Sequence, residues 1–153
     1  MSTDGDLIKL YSQQILALAA DIPRIGQLET CDGTAKRRSP LCGSTVQVDL
    51  NMADGRVSDF AQDVKACALG QAAASVVGSA IIGCTPEQIG IARDQLKAML
   101  KTDGAAPDAP FDGLKVLLPA RDYKNRHASI MLTLDATADA LEMATQAAKL
   151  QSS

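Results

Sequence analysis

The 153-residue chain has a single histidine, no internal repeat and no low-complexity tract. It contains neither a Walker-type nor a dinucleotide-type glycine loop, so no ready-made phosphate cradle is encoded. No G-x-S-x-G elbow accompanies the lone histidine. That leaves nothing from which to build a Ser-His-Asp arrangement, and catalysis is not expected. An excess of one charge is also missing, with 15 basic residues against 18 acidic and a formal charge of -3. The cations are scattered apart from Lys36-Arg37-Arg38. No nucleic-acid partner is expected, because such binding needs many phosphate contacts. The basic run itself reads as a solvated loop, with docking of an acidic partner surface as the alternative. Nor is there a long apolar run: Ala66 to Cys84 is flanked by Lys65 and interrupted by Gln71 and several Ser and Gly residues. The opening MSTDGDLIKL lacks a basic stretch followed by an apolar one, so the expectation is a soluble cytoplasmic protein with no membrane partner.

What is present suits one core of ordinary size. The chain is 46% hydrophobic, and its length calls for a single domain spanning residues 1–153. Four cysteines, Cys31, Cys42, Cys67 and Cys84, are irregularly spaced. In a chain that is not expected to be exported, free thiols or metal ligands are favoured over a disulfide framework.

Periodicity and turn chemistry outline the elements. Leu7, Leu10, Ile15 and Leu18 recur at helical spacing over Asp6 to Ala20, with Thr3, Asp4 or Asp6 as N-cap and Pro23 beyond the end. The alternating run Thr45 to Leu50, a turn at Ala53-Asp54-Gly55 and a strand at about Arg56 to Val64 predict a hairpin. The small-residue segment from Ala66 to about Gly83 predicts a central, closely packed helix. Thr85-Pro86-Glu87-Gln88 supplies an N-cap, a Pro at the first helical position and a capping-box Gln, so a helix should run to about Lys101. Thr102 to Gly113, rich in Asp, Pro and Gly, reads as a mobile loop. Leu114 to Leu118 reads as a short helix or an extended piece, and Lys124 to Leu150 as one long helix or two abutting ones.

Thiolates are soft, charged donors, but a metal or cluster site needs three or four ligands from separate loops, and two cysteines are too few. The hairpin offers convergence: Cys42 before one strand and Cys67 after its antiparallel partner belong to the same end, with Cys67 also at a helix N-terminus that favours thiolate. Cys31 and Cys84 read as ordinary residues, Cys84 packing as a small hydrophobe.

Several motifs together resemble one family. Leu41-Cys42-Gly43-Ser44 is similar to a C-G-D loop, and Ala66-Cys67-Ala68-Leu69-Gly70 to a G-C-A-I-S helix start. The two cysteines stand 25 positions apart, as that family has them. Tyr11-Ser12 with Pro23-Arg24 and Gly26 resembles its opening, and Arg121 with Arg126 to Leu132 its V-R-x-x-x-x-R-x-x-C-x-x-L pattern. Over about residues 7 to 142 the chain therefore resembles the iron-sulfur cluster scaffolds typified by IscU, SufU and the N-terminal part of NifU.

That resemblance implies an α+β fold: a small antiparallel sheet of about three strands, the third drawn from residues 27 to 40, packed on one face by four to five helices. It also implies iron or a [2Fe-2S] cluster, or zinc, held through Cys42 and Cys67. Cysteine desulfurase, other assembly factors and recipient apoproteins would be partners, and a homodimer is an option. The departures fall at the ligands. Ser129 stands at the third cysteine and Ser44 at the aspartate, and a hydroxyl is protonated and hard where a soft donor is preferred. His127 lies two residues from that third position and is a candidate ligand beside its reading as a structural histidine. Arg121 and Arg126 are either solvated helix charges or holders of a persulfide or sulfide anion. The bacterial L-P-P-V-K chaperone signal is missing at Asp122 to Arg126. Ser44 and Ser129 favour an alternative, a paralogue that regulates the desulfurase without a cluster. Another is a sulfur-transfer protein acting through Cys67.

Overall fold

The computed structural model describes residues 12–40 and 43–151. The first helix, expected over Asp6 to Ala20 with a cap at Thr3, Asp4 or Asp6, lies partly outside these residues. Its described part is α1 (Gln13–Ala20), where the Ser12 hydroxyl accepts from the Ile15 N–H at 3.3 Å and Ile15 enters the core.

Three antiparallel strands follow in sheet order β1 (Gly33–Arg38), β2 (Thr45–Ala53) and β3 (Arg56–Lys65). The third strand implied between residues 27 and 40 is thus present as β1, and the basic run Lys36-Arg37-Arg38 is its second half rather than a solvated loop. In the β2–β3 hairpin, Asp54 (φ 53) and Gly55 (φ 77) both adopt positive φ, the two-residue turn whose twist matches the strands. Val46, Val48 and Leu50 of β2 alternate onto the face that packs on the helices, leaving the intervening residues on the outer face.

Helix α2 (Ala68–Ala80) is lined almost throughout by buried small residues, which lets it sit in the middle of the molecule. α3 (Pro86–Lys101) begins with the full reciprocal capping box of Thr85 and Gln88, at the predicted boundary. The stretch expected as a mobile loop is fastened: Asp108 exchanges two hydrogen bonds with Gln95, at 3.0 and 3.1 Å. A 3-10 helix then spans Asp112–Asp122 and buries Leu114, Leu117 and Ala120. Finally α4 (Lys124–Gln151) is one continuous helix lying across β1 and β2 and against α2 and α3. At Gly33 a Cβ would collide with the Ala140 carbonyl, so this close approach of β1 to α4 requires glycine. The result is the expected α+β arrangement, with four α-helices and one 3-10 helix among the described residues. None of those helices is long and apolar enough to cross a membrane.

Candidate functional site at the end of the sheet

The register Arg38↔Thr45↔Lys65 defines one end of the sheet, where β1 hands over to β2 and β3 runs out into α2. The connection between β1 and β2 is closed by backbone bonds: Ser39 N–H donates to Ser44 O (2.8 Å) and Gly43 N–H to Ser39 O (3.0 Å). Gly43 takes a positive φ of 68° there. Cys42, the first candidate thiol, lies outside the described residues. Ser44 is 5% exposed and directly precedes β2.

Cys67 caps the N-terminus of α2 in an extended conformation (φ -68°, ψ 170°). Its thiol makes no capping bond and is half-buried. From the second turn of α4, Ser129, 1% exposed, donates its hydroxyl to Ser44 Oγ at 3.2 Å and places it 3.5 Å from Cys67 Sγ. Three of the predicted site residues therefore converge from the β1–β2 connection, the α2 cap and α4. Sequence reasoning did not single out Gly70 as a site residue. A Cβ there would stand 2.6 Å from Ser129 Oγ, so this glycine sets how near α4 comes to the thiol. An interior helix glycine, which costs helix stability, was the signal available.

Most of the remaining candidates point elsewhere. His127 is 3% exposed, and its Nε2 lies 3.0 Å from both the Ala120 and the Arg121 carbonyl oxygens. Both are acceptors, so Nε2 carries the proton and ties α4 to the end of the 3-10 helix. Arg121 donates from Nε to Met99 O (2.7 Å) and from Nη2 to Gly104 O (3.0 Å), with Asp103 at 3.7 Å. Its guanidinium thus caps the carbonyl end of α3. Arg126 is half-buried and stands one turn before Ser129 on the same side of α4. Cys84 is buried beyond the other end of α2, roughly 20 Å away by helix rise, and donates to Ala80 O at 3.2 Å. Burial pushes its pKa up, partly offset by Arg56. Cys31 is exposed in the loop before β1.

Chemically, the described part of the site offers one soft donor and two hard, hydrogen-bonded hydroxyls. Among the described residues no group of three or more His, Cys, Asp or Glu side chains could hold a metal ion. The described residues of one chain therefore do not by themselves present a full thiolate set.

Residues 10–129 match the family model described as the NifU-like N terminal domain. The class defined by this fold and sheet-end thiol is thereby fixed: the chain belongs to the NifU-like N-terminal domain family. It is similar to the solved nitrogen-fixing NifU-like protein (N-terminal) from Brucella abortus. The two are 48% identical, over 92% of this chain and 98% of that one, with a TM-score of 0.90. A candidate iron-sulfur cluster assembly scaffold protein for the SUF system from Fervidobacterium islandicum AW-1 shares the fold. Its TM-score is 0.79 at 19% identity, covering 88% of this chain and 98% of that one. A hypothetical protein shares it at a TM-score of 0.73 and 17% identity, over 88% and 98%. No curated protein matches the chain.

Proposed function

We propose that the protein is an iron-sulfur cluster assembly scaffold or scaffold-like protein of the cytoplasm. Its cargo is iron or a [2Fe-2S] cluster, with zinc as the competing metal, taken through Cys42 and Cys67. The observation that carries this reading is the convergence of Cys67, Ser44 and Ser129 at one sheet end of a NifU-like N-terminal domain. Cys42 joins by sequence, next to Gly43 in the same connection. Two thiolates are half of the usual set for a [2Fe-2S] cluster, so two copies, each giving Cys42 and Cys67, complete it. Arg126, which makes no side-chain ion pair with a described residue, is the better placed of the two arginines to hold an incoming sulfide or persulfide. His127 retains only Nδ1 for a ligand, since Nε2 is used. Cysteine desulfurase and other assembly factors supply the site, and recipient apoproteins empty it. No catalytic step of its own is required.

The Ser129–Ser44 hydrogen bond favours a second reading, because two hydroxyls that satisfy each other do not call for a metal. In it, the protein regulates a cysteine desulfurase without a cluster, or carries persulfide sulfur on Cys67. Anaerobic reconstitution with iron and sulfide, and separately with zinc, tests both. A visible chromophore and bound metal in the native chain that disappear in a Cys42→Ser/Cys67→Ser variant support the scaffold. Absence of stoichiometric metal in the native chain rejects it in favour of the second reading.

A further inference from the structure

The cargo site leaves the basic run Lys36-Arg37-Arg38 unused, and β1 divides it between the two faces of the sheet. Arg37 lies opposite Val46 and so shares the inner face, where it forms two hydrogen bonds with Asp139 of α4, at 2.5 and 3.1 Å. Lys36 and Arg38 lie opposite Gln47 and Thr45 on the outer face, and Lys65 and Asp63 join them from β3. Arg38 and Lys65 flank Thr45 directly, about 10 Å apart across two strand spacings. Lys36, Arg38 and Lys65 are exposed, and none forms an ion pair with a described residue. The loop before β1 covers only the other part of this face. There Leu28 N–H and the Thr34 hydroxyl bind the Asp49 carboxylate, and Asn51 bonds Asp32 N–H and Thr30 O.

We propose that the outer face of the sheet at its Cys67 end is a docking surface for an acidic segment of a partner protein. Three cations with no ion pair to a described residue gather here on a chain whose formal charge is -3, so the patch opposes the sign of the whole. Lys36 and Arg38, two residues apart on one strand, are spaced about 6.7 Å along it, the repeat of alternate carboxylates on an extended segment. Thr45 and Gln47 between the cations supply hydrogen-bonding groups. Asp63 on the same face asks for a cation in return, which suits a mixed-charge protein surface and not a polyphosphate strand. Three cations are also too few for nucleic acid. Lys65 stands two residues before Cys67, so a docked segment lies beside the thiol whether or not cargo is bound. The bland reading is that cations on an edge strand only discourage sheet pairing, and it predicts no binding at all.

The test uses the full chain, without metal, and a fluorescein-labelled peptide of alternating Glu and Ser, with alternating Lys and Ser as its counterpart. Fluorescence anisotropy and backbone amide shifts are followed at low ionic strength. The acidic peptide should bind saturably, with shifts concentrated at Lys36, Arg38, Thr45, Gln47 and Lys65, and weaken as salt is added. In a Lys36→Glu/Arg38→Glu/Lys65→Glu variant, affinity should fall by about tenfold or more. The Gln triple, which guards against misfolding of the reversed one, should lose less. Lys97→Glu/Lys115→Glu should bind as the native chain does. No saturable binding, equal loss in the Lys97/Lys115 control, shifts centred elsewhere, or peptide-independent self-association would each overturn the proposal.

Discussion

At position 70 a Cβ would lie 2.6 Å from Ser129 Oγ and 2.8 Å from the Ala66 Cβ, so one hydrogen atom in place of a methyl decides the geometry around the thiol. Gly70→Ala should destabilise the chain by about 1–3 kcal/mol, the usual range for overpacking, and separate Ser129 from Cys67. Denaturant unfolding measures the first effect and the alkylation rate of Cys67 the second. Thiol labelling of the native chain should modify Cys31 and Cys67 but reach buried Cys84 only on unfolding. Cys31 should nonetheless react slowly near neutral pH. Partial desolvation, then the carboxylates of Asp49 and Asp32, hold its pKa above the ordinary thiol value, so Asp32→Asn should speed its labelling. Asp139 has the opposite sign. The hydrogen bond from Arg37 holds its carboxyl below its usual range, against the opposing effect of desolvation. Such a group adds stability above its unfolded pKa of about 3.9, and that contribution is lost as pH falls through the depressed folded value. The pair is substantially exposed, so the effect is small. Comparing unfolding of native chain and Asp139→Asn against pH should show a gap that is constant near neutrality and closes in acid. Residue identities picked from sequence at Cys67, Ser44 and Ser129 did meet in space. Arg121 could not be read that way, because its partners are the Met99 and Gly104 carbonyls and depend on where α3 ends.

Among the elements, those that carried their own punctuation were legible. Thr85-Pro86-Glu87-Gln88 encodes both bonds of a capping box, and α3 begins there. Thr85→Ala should therefore cost about 1 kcal/mol in a thermal or denaturant melt, with the fold retained. Asp54-Gly55 likewise set the β2–β3 turn. β1 was hidden from periodicity because its two faces do not contrast: Gly33 and Ala35 are too small to mark the inner side, and Arg37 puts a charge there, paired with Asp139. For a related reason, the 3-10 helix was legible only in its middle, Leu114 to Leu118, where a short helix stood beside an extended piece as the two readings. Asp112, Gly113 and Pro119 read as loop chemistry, while Leu114, Leu117 and Ala120 repeat every third residue, the 3-10 period and not that of an α-helix.

In the whole molecule, the helices cover one face of the sheet and leave the site at its end, beside an outer face whose cations form no ion pair with a described residue. Long-range order around the thiol comes from α4, which delivers Ser129 across the chain to Ser44 and Cys67 and was recognisable only as a helical stretch until its packing was known. In the proposed scaffold, each chain supplies half of a cluster's ligands through Cys42 and Cys67. Light scattering of the anaerobically loaded protein, with iron and sulfide determined on the same fractions, tests it most directly. A dimer that holds one [2Fe-2S] cluster between two chains is expected, and it should fail to form in the Cys42→Ser/Cys67→Ser variant. A cluster on a monomer, or equal loading in that variant, would contradict it.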